Sequence, residues 1–257
     1  MNLILLETEE PRQRLAAGTP AATHLRDVLK ARAGSTFWCG AENGARGIAT
    51  VEAAEPDGSF AFSVAWERGV PADAFSPPIR LLVGLSRPQT MKKIFAAAGE
   101  IGCREIRVFV TENGDPAYAR SSLWRDGNDE LRALLRKAAE QTCTTFLPPA
   151  RLFPSLAEAC ADLAESPAGS AFALDVYEAE SSLADVAFPP LPAGTPRAFA
   201  IGSERGWTDA ERRALRERGF VFAHLGARVL RTEMAVAVAL AVAAARSGTW
   251  TRHTPPR

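Results

Sequence analysis

The chain has 257 residues, with thirty basic against thirty acidic side chains, 47% apolar residues and 23% charged ones. That length favours two domains, or one domain with an appendage, and the ordinary composition excludes collagenous and disordered classes. Zero net charge argues against a protein that holds nucleic acid by bulk electrostatics and leaves only local basic patches.

The opening run Leu3–Leu6 turns acidic at once and lacks a basic flank, so it reads as a strand rather than a secretory leader. A helix is expected over Ala21–Ala31, and strands over Ser35–Trp38, Arg46–Val51 and Ser59–Trp66, divided by glycine turns. Short strands at this spacing suggest a small β-barrel over residues 1 to 76, closed by the linker Ser76-Pro77-Pro78. From residue 77 to 250 the rhythm becomes strand and helix in alternation. Strands are expected over Ile79–Gly84, Glu105–Val110, Ala171–Leu174, Pro196–Ile201 and Phe220–Leu225. Between and after them, helices are expected over Gln89–Ile101, Asp129–Thr142, Ser155–Glu165, Thr208–Arg218 and Thr232–Arg246. This is an α/β pattern around a mostly parallel sheet. Ser181–Thr195 reads as a long surface connection and Thr251–Arg257 as a frayed tail. The longest apolar stretch, Met234–Ala245, falls short of the roughly 20 residues that span a bilayer, so no membrane segment is expected.

Cys39, Cys103, Cys143 and Cys160 form no C-x-x-C pair, which predicts reduced thiols and no metal site. No G-x-G-x-x-G or Walker A loop is present. Ser203 follows Gly202 directly, so it does not sit on a nucleophile elbow. His24 and His224 read as structural, and Phe37, Trp38, Phe60, Phe62 and Trp66 read as core before they read as base-stacking platforms. Two glycine turns stand out, each between a hydrophobic strand and a helix, where backbone groups can approach a flat ligand.

These turns are Ile201-Gly202-Ser203-Glu204-Arg205-Gly206-Trp207-Thr208-Asp209-Ala210-Glu211 and Leu225-Gly226-Ala227-Arg228-Val229-Leu230-Arg231-Thr232-Glu233-Met234-Ala235. They resemble I-G-P-E-G-G-F/L-S-x-x-E and L-G-x-R-I/V-L-R-T-E-T-A of the RsmE family, uridine-N3 methyltransferases of small-subunit ribosomal RNA in the SPOUT superfamily. Weaker agreement runs through His24-Leu25-Arg26-Asp27-Val28-Leu29-Lys30, Met91-Lys92-Lys93, Gly99–Gly102 and Ala138–Gln141. The chain departs from the pattern where Ser203 replaces proline and Arg205 replaces glycine. Thr144 stands where the pattern has arginine, and Thr111-Glu112-Asn113-Gly114 stands for an S-E-R-S segment.

The resemblance implies a C-terminal trefoil-knotted α/β domain behind an N-terminal PUA-like β-barrel, acting as a cytoplasmic homodimer on RNA. It implies S-adenosyl-L-methionine bound by Leu174, Ile201, Gly202, Glu204, Gly206, Leu225, Gly226, Val229 and Leu230. In the barrel, Arg26, Lys30 and Arg32 are the expected RNA contacts. Arg228 and Arg231 carry guanidinium groups suited to phosphate or to a polarised base oxygen and are the expected catalytic pair. Glu233 joins them as a candidate, although an acid after a Thr232 N-cap also has a purely helix-stabilising meaning. A knotted RNA-binding or assembly protein without turnover, or a paralogue acting on another RNA, is the competing expectation.

Overall fold

The structure, a computed structural model, describes residues 2–125, 129–163, 170–192 and 194–250. They form two compact units, one made of Met1–Phe75 with Arg136–Leu147 and the other of Ser76–Leu135 with Pro148–Arg257. The expected tail Thr251–Arg257, and the end of the helix expected over Ser155–Glu165, lie outside the described residues.

The first unit contains β1 (Ile4–Leu6), β2 (Arg12–Leu15), α1 (Pro20–Thr23), β3 (Thr36–Ala41), β4 (Arg46–Ala54) and β5 (Phe60–Trp66). Its five strands are ordered β1-β3-β4-β5-β2, with β1 parallel to β3 and the other pairs antiparallel. Alternation along β4 and β5 turns Val51, Phe60 and Phe62 inward with Leu25 and Phe37, and Phe37 meets Phe62 edge to face at 5.3 Å. The expected helix over Ala21–Ala31 is instead a single α turn that widens into a π turn over His24–Val28, where the Leu29 N–H donates to the His24 carbonyl. The unit also takes in 136–147, which the sequence pattern assigns to the α/β part. The Asn2 and Leu3 N–H groups both donate to the Glu140 carbonyl, and the Thr145 hydroxyl donates to the Gly44 carbonyl.

The second unit contains β6 (Ile79–Gly84), α2 (Pro88–Ile101), β7 (Glu105–Phe109), the start of α3 (Asp129–Thr142, which from Arg136 on belongs to the first unit), β8 (Ala150–Phe153) and α4 (Leu156–Ala159). It continues with β9 (Ala171–Leu174), β10 (Ser181–Ser182), β11 (Arg197–Ile201), α5 (Asp209–Glu217), β12 (Val221–His224) and α6 (Thr232–Arg246). All seven strands run parallel in the order β10-β12-β9-β11-β6-β7-β8. A parallel sheet needs cover on both faces, and accordingly β9 and β11 are buried at every residue. On one face Leu82, Ala173 and Ala200 pack with Leu156 and Ala159 of α4 and Leu215 of α5. Elsewhere α2 and α6 pack together, with α6 also against β6 and β11. Strands β2 and β8 are not expected from the sequence because Arg12-Gln13-Arg14-Leu15 is polar and Ala150–Phe153 is boxed in by prolines. Both are edge strands, where an apolar run is not required.

The surface connection after β10 is anchored by Phe188. Its ring stacks on Phe172 at 4.9 Å, and the guanidinium groups of Arg197 and Arg246 lie 4.2 and 4.6 Å from its centroid. Burial, and then the neighbouring Arg246, push Arg197 below its usual range. Among the described residues no helix is long and apolar enough to cross a membrane. Cys39, Cys103 and Cys160 are buried, Cys143 is half-buried, and among the described residues none forms a disulfide. Phe172 is fully buried between Phe188 and Phe199, so Phe172→Ala is expected to lower stability by about 3–5 kcal/mol, read as a shifted urea midpoint at unchanged slope.

Candidate active site

Strands β12, β9 and β11 are neighbours in the sheet, and the loops that leave their C-terminal ends line a cavity of about 240 Å³. Such strand ends are where open parallel sheets bind ligands. After β9 come Asp175, Val176 and Tyr177; after β11 come Gly202 to Trp207; after β12 come Leu225, Gly226 and Arg228 to Leu230. All nine residues expected to hold a cofactor line this one cavity: Leu174, Ile201, Gly202, Glu204, Gly206, Leu225, Gly226, Val229 and Leu230.

The β11 loop is a tight return. The Gly206 N–H donates to the Ser203 carbonyl at 2.9 Å, and the two residues form an antiparallel bridge. Trp207 then turns inward, 6% exposed, stacks on Phe109 and donates its indole N–H to the Leu174 carbonyl at 2.9 Å. That bond ties the β11 loop to the end of β9. Helix α5 starts behind it with a capping box, in which Thr208 and Glu211 satisfy each other's backbone N–H groups. The Glu204 carboxylate accepts from the Thr90 hydroxyl and lies 3.7 Å from the Arg87 guanidinium.

Two charged groups in the lining are absent from the sequence expectation. The Asp175 carboxylate, with its side chain only 2% exposed, accepts from the Arg212 guanidinium at 2.6 Å and from the Tyr177 N–H at 2.8 Å. Asp175, and after it Glu178 and Asp209, hold Arg212 above its usual range. An aspartate right after a buried strand was the available signal; its partner, 37 positions on, was not. His224, expected to be structural, also lines the cavity, and its Nδ1 accepts from the Gly226 N–H at 3.1 Å.

The expected catalytic and RNA-binding residues separate. Arg228 is exposed and lines the cavity, whereas Arg231 and Glu233 are not in the lining. Arg231, not Thr232, is the N-cap of α6, and it caps without a side-chain bond; Thr232 is buried as the first helical residue. Glu233 accepts from the Lys93 ammonium at 3.2 Å. Its own backbone N–H at the helix start, followed by Lys93 and Arg231, holds its carboxyl below the usual range. Arg26, Lys30 and Arg32 are exposed residues of the first unit, where the Arg26 guanidinium forks onto Asp27. Among the described residues no group of three metal-ligating side chains occurs.

Residues 74–244 match the family of the RNA methyltransferase domain. The sequence is 30% identical to the ribosomal RNA small subunit methyltransferase E of Treponema pallidum, over 99% of this chain and 95% of the relative. The fold is shared with the small subunit methyltransferase E of Neisseria gonorrhoeae, solved bound to S-adenosyl methionine, at 22% identity and a TM-score of 0.71. That match covers 96% of this chain and 98% of the other. A methyltransferase of Legionella pneumophila, solved with the same cofactor, is similar at 22% identity and a TM-score of 0.70, covering 95% and 97% of the two chains. The fold and the family match thus define an RNA methyltransferase domain. Within that class, the chain belongs to the family of the ribosomal RNA small subunit methyltransferases E.

The loop-to-strand tie predicts a measurable cost. Trp207→Phe keeps the stack on Phe109 but leaves the Leu174 carbonyl unpaired, and is expected to lower stability by about 1–3 kcal/mol in equilibrium denaturation.

Proposed function

We propose that this chain transfers a methyl group from S-adenosyl-L-methionine to the N3 nitrogen of a uridine in small-subunit ribosomal RNA. The observation that carries the reading is that the nine residues expected from the resemblance, at the ends of three strands and in the loops after them, converge on one cavity. The cavity suits a flat ligand held largely by backbone. Gly226 has a φ of +102°, and no atom lies within 4 Å of where its β-carbon would stand, so the backbone there leaves open space that a side chain would fill.

Bound there, the cofactor supplies an electrophilic methyl group on a sulfonium. The residues of the three loops would hold that cofactor, and the acceptor N3, which must lose its proton to act as a nucleophile, would have to be held facing the methyl group. The chain's part is to hold the ring in line and to stabilise negative charge on its oxygens. Arg228, exposed in the cavity lining, is assigned to that electrostatic role. Arg231 and Glu233, at the start of α6, are assigned to the approach of the RNA and to holding Lys93 beside it.

We read the second unit as a SPOUT trefoil knot closed by the loops after β9, β11 and β12, and the first as a PUA-like barrel that offers Arg26, Lys30 and Arg32 to RNA. We read the working form as a cytoplasmic homodimer. Helix α6 supports the last point, since Met234, Val238, Ala241, Val242 and Ala245, spaced three or four apart, stay partly or fully exposed in one copy. Val238→Glu is expected to give a monomer, or an insoluble chain, by sedimentation; a monomeric wild type refutes the dimer.

Calorimetric titration with S-adenosylmethionine tests the site. Micromolar affinity in the wild type and none in a folded Gly226→Trp variant is the expected result, and no binding by the wild type at millimolar concentration supports the non-catalytic scaffold instead. Incubation with total RNA followed by nucleoside analysis tests the product: 3-methyluridine is expected, and a different methylated nucleoside shifts the target.

A further inference from the structure

The β11 loop has a second face. Strand β11 lies between β9 and β6, and β6 is followed in the sheet by β7. The loops after β11, β6 and β7 line another cavity, of about 130 Å³, bounded by Leu85, Arg87, Gly114, Asp115, Tyr118 and the residues Ser203 to Arg205. Ser203, Glu204 and Arg205 belong to the walls of both cavities. A transfer between two bound molecules requires two sites that meet, and the two cavities meet at these three residues.

The lining suits a flat polar ring. Tyr118 is half-buried and offers an aromatic surface, while Arg87 and Arg205 offer guanidinium donors to carbonyl oxygens. Arg205 is the informative residue. Its Nη1 donates to the Asn113 carbonyl at 2.9 Å, which fixes the side chain on the loop after β7 and leaves its other N–H groups without a partner among the described residues. The pattern that the sequence resembles has glycine at 205 and arginine within the S-E-R-S segment, where this chain has Asn113. The guanidinium missing from one side of the cavity is thus supplied from the other, anchored to the very residue that lost it.

We propose that the smaller cavity receives the acceptor pyrimidine ring, and that Arg205 donates hydrogen bonds to its carbonyl oxygens in the place of an arginine at position 113. This rests on the methyltransferase reading above, specifies where its second substrate lies, and gives the electrostatic role on the ring to Arg205 in place of Arg228, which does not line this cavity. The free donors and the planar fork of Arg205 meet an oxygen that gains negative charge as N3 loses its proton.

The test uses the full chain with two readouts: affinity for a single-stranded oligouridylate in the presence of S-adenosylhomocysteine, and methyl transfer to RNA at saturating S-adenosylmethionine. Arg205→Gly is expected to weaken the oligonucleotide and to lower kcat/KM by about 10- to 100-fold, as loss of a charged hydrogen bond does, and to weaken the cofactor far less than the oligonucleotide. Adding Asn113→Arg to that variant is expected to restore most of both. Arg205→Lys, which keeps the charge but not the fork, is expected to fall between. The slope of log affinity against log salt separates base from backbone. An unchanged slope in Arg205→Gly supports the base contact, and a slope shallower by about 0.7 shows a phosphate contact and overturns it. Unchanged oligonucleotide affinity, or a loss confined to the cofactor, also overturns it. If the wild type methylates no RNA, the methyltransferase reading fails, and the oligouridylate titrations still decide the role of Arg205.

Discussion

At the end of β6 there is no room for a β-carbon. One placed on Gly84 would stand 2.4 Å from the Ser203 nitrogen, 2.7 Å from Thr111 Cγ2 and 3.0 Å from the Gly202 carbonyl carbon, contacts no real side chain tolerates. Because that space is empty, the backbone of the β11 loop leans directly on β6 and on the residue that follows β7 by two. The Thr111 hydroxyl then reaches Ser203 Oγ at 3.4 Å, and the Glu112 carboxylate accepts from the Thr208 hydroxyl at 2.6 Å. With one side fixed there and the other tied through Trp207 to Leu174, the loop is held rigid at the residues where the two cavities meet. A loop that shapes ligand space needs its own backbone held by packing and hydrogen bonds, since an error of an ångström at a reacting centre is costly.

Several of the chain's guanidinium groups are consumed inside it. Arg107, 6% exposed, is shared between the Glu105 carboxylate and the Ala159 carbonyl. Arg212 is shared among Asp175, Glu178 and Asp209, and Arg197 and Arg246 embrace the Phe188 ring. Buried guanidinium groups need such partners, because an isolated buried charge is expensive. Counting basic residues therefore says little about an RNA surface here. What matters is which guanidinium groups keep spare donors at the strand ends, and Arg228 and Arg205 do so among the described residues.

The sequence was most legible where burial sets the pattern. The strand Ile79–Gly84 and the helices Asp129–Thr142 and Thr232–Arg246 are found with the expected bounds, because a strand covered on both faces reads as an unbroken apolar run and a packed helix as a periodic one. The aromatic residues Phe37, Phe60 and Phe62 are core, as their alternation suggests. Edge strands β2 and β8 carry no such demand and left no trace. The π turn at His24–Val28 is a local widening of a helix that an apolar pattern does not encode, and the attachment of 136–147 to the first unit depends on bonds between distant backbone groups, such as Leu3 to Glu140, which no local window contains. At the site, the loops were legible through their resemblance to a family pattern. The pair Asp175 and Arg212 was not, and neither was the second cavity, whose walls come from three loops far apart in the chain.

The strand order explains why these features arise together. Strand β11 is inserted between β6, the first strand of its sheet, and β9, and β12 then adds beyond β9. Until β11 is in place, β6 and β9 have no common neighbour, and neither cavity has its shared wall. Such non-local pairing closes long loops before any contact rewards it, so insertion of β11 is entropically demanding. The site is thereby coupled to completion of the sheet, since the loop after β9 is held by the bond from the Trp207 indole, on the loop after β11, to the Leu174 carbonyl. The close backbone approach at Gly84, which only glycine permits, is what lets the β11 loop seat against the end of β6 without displacing it.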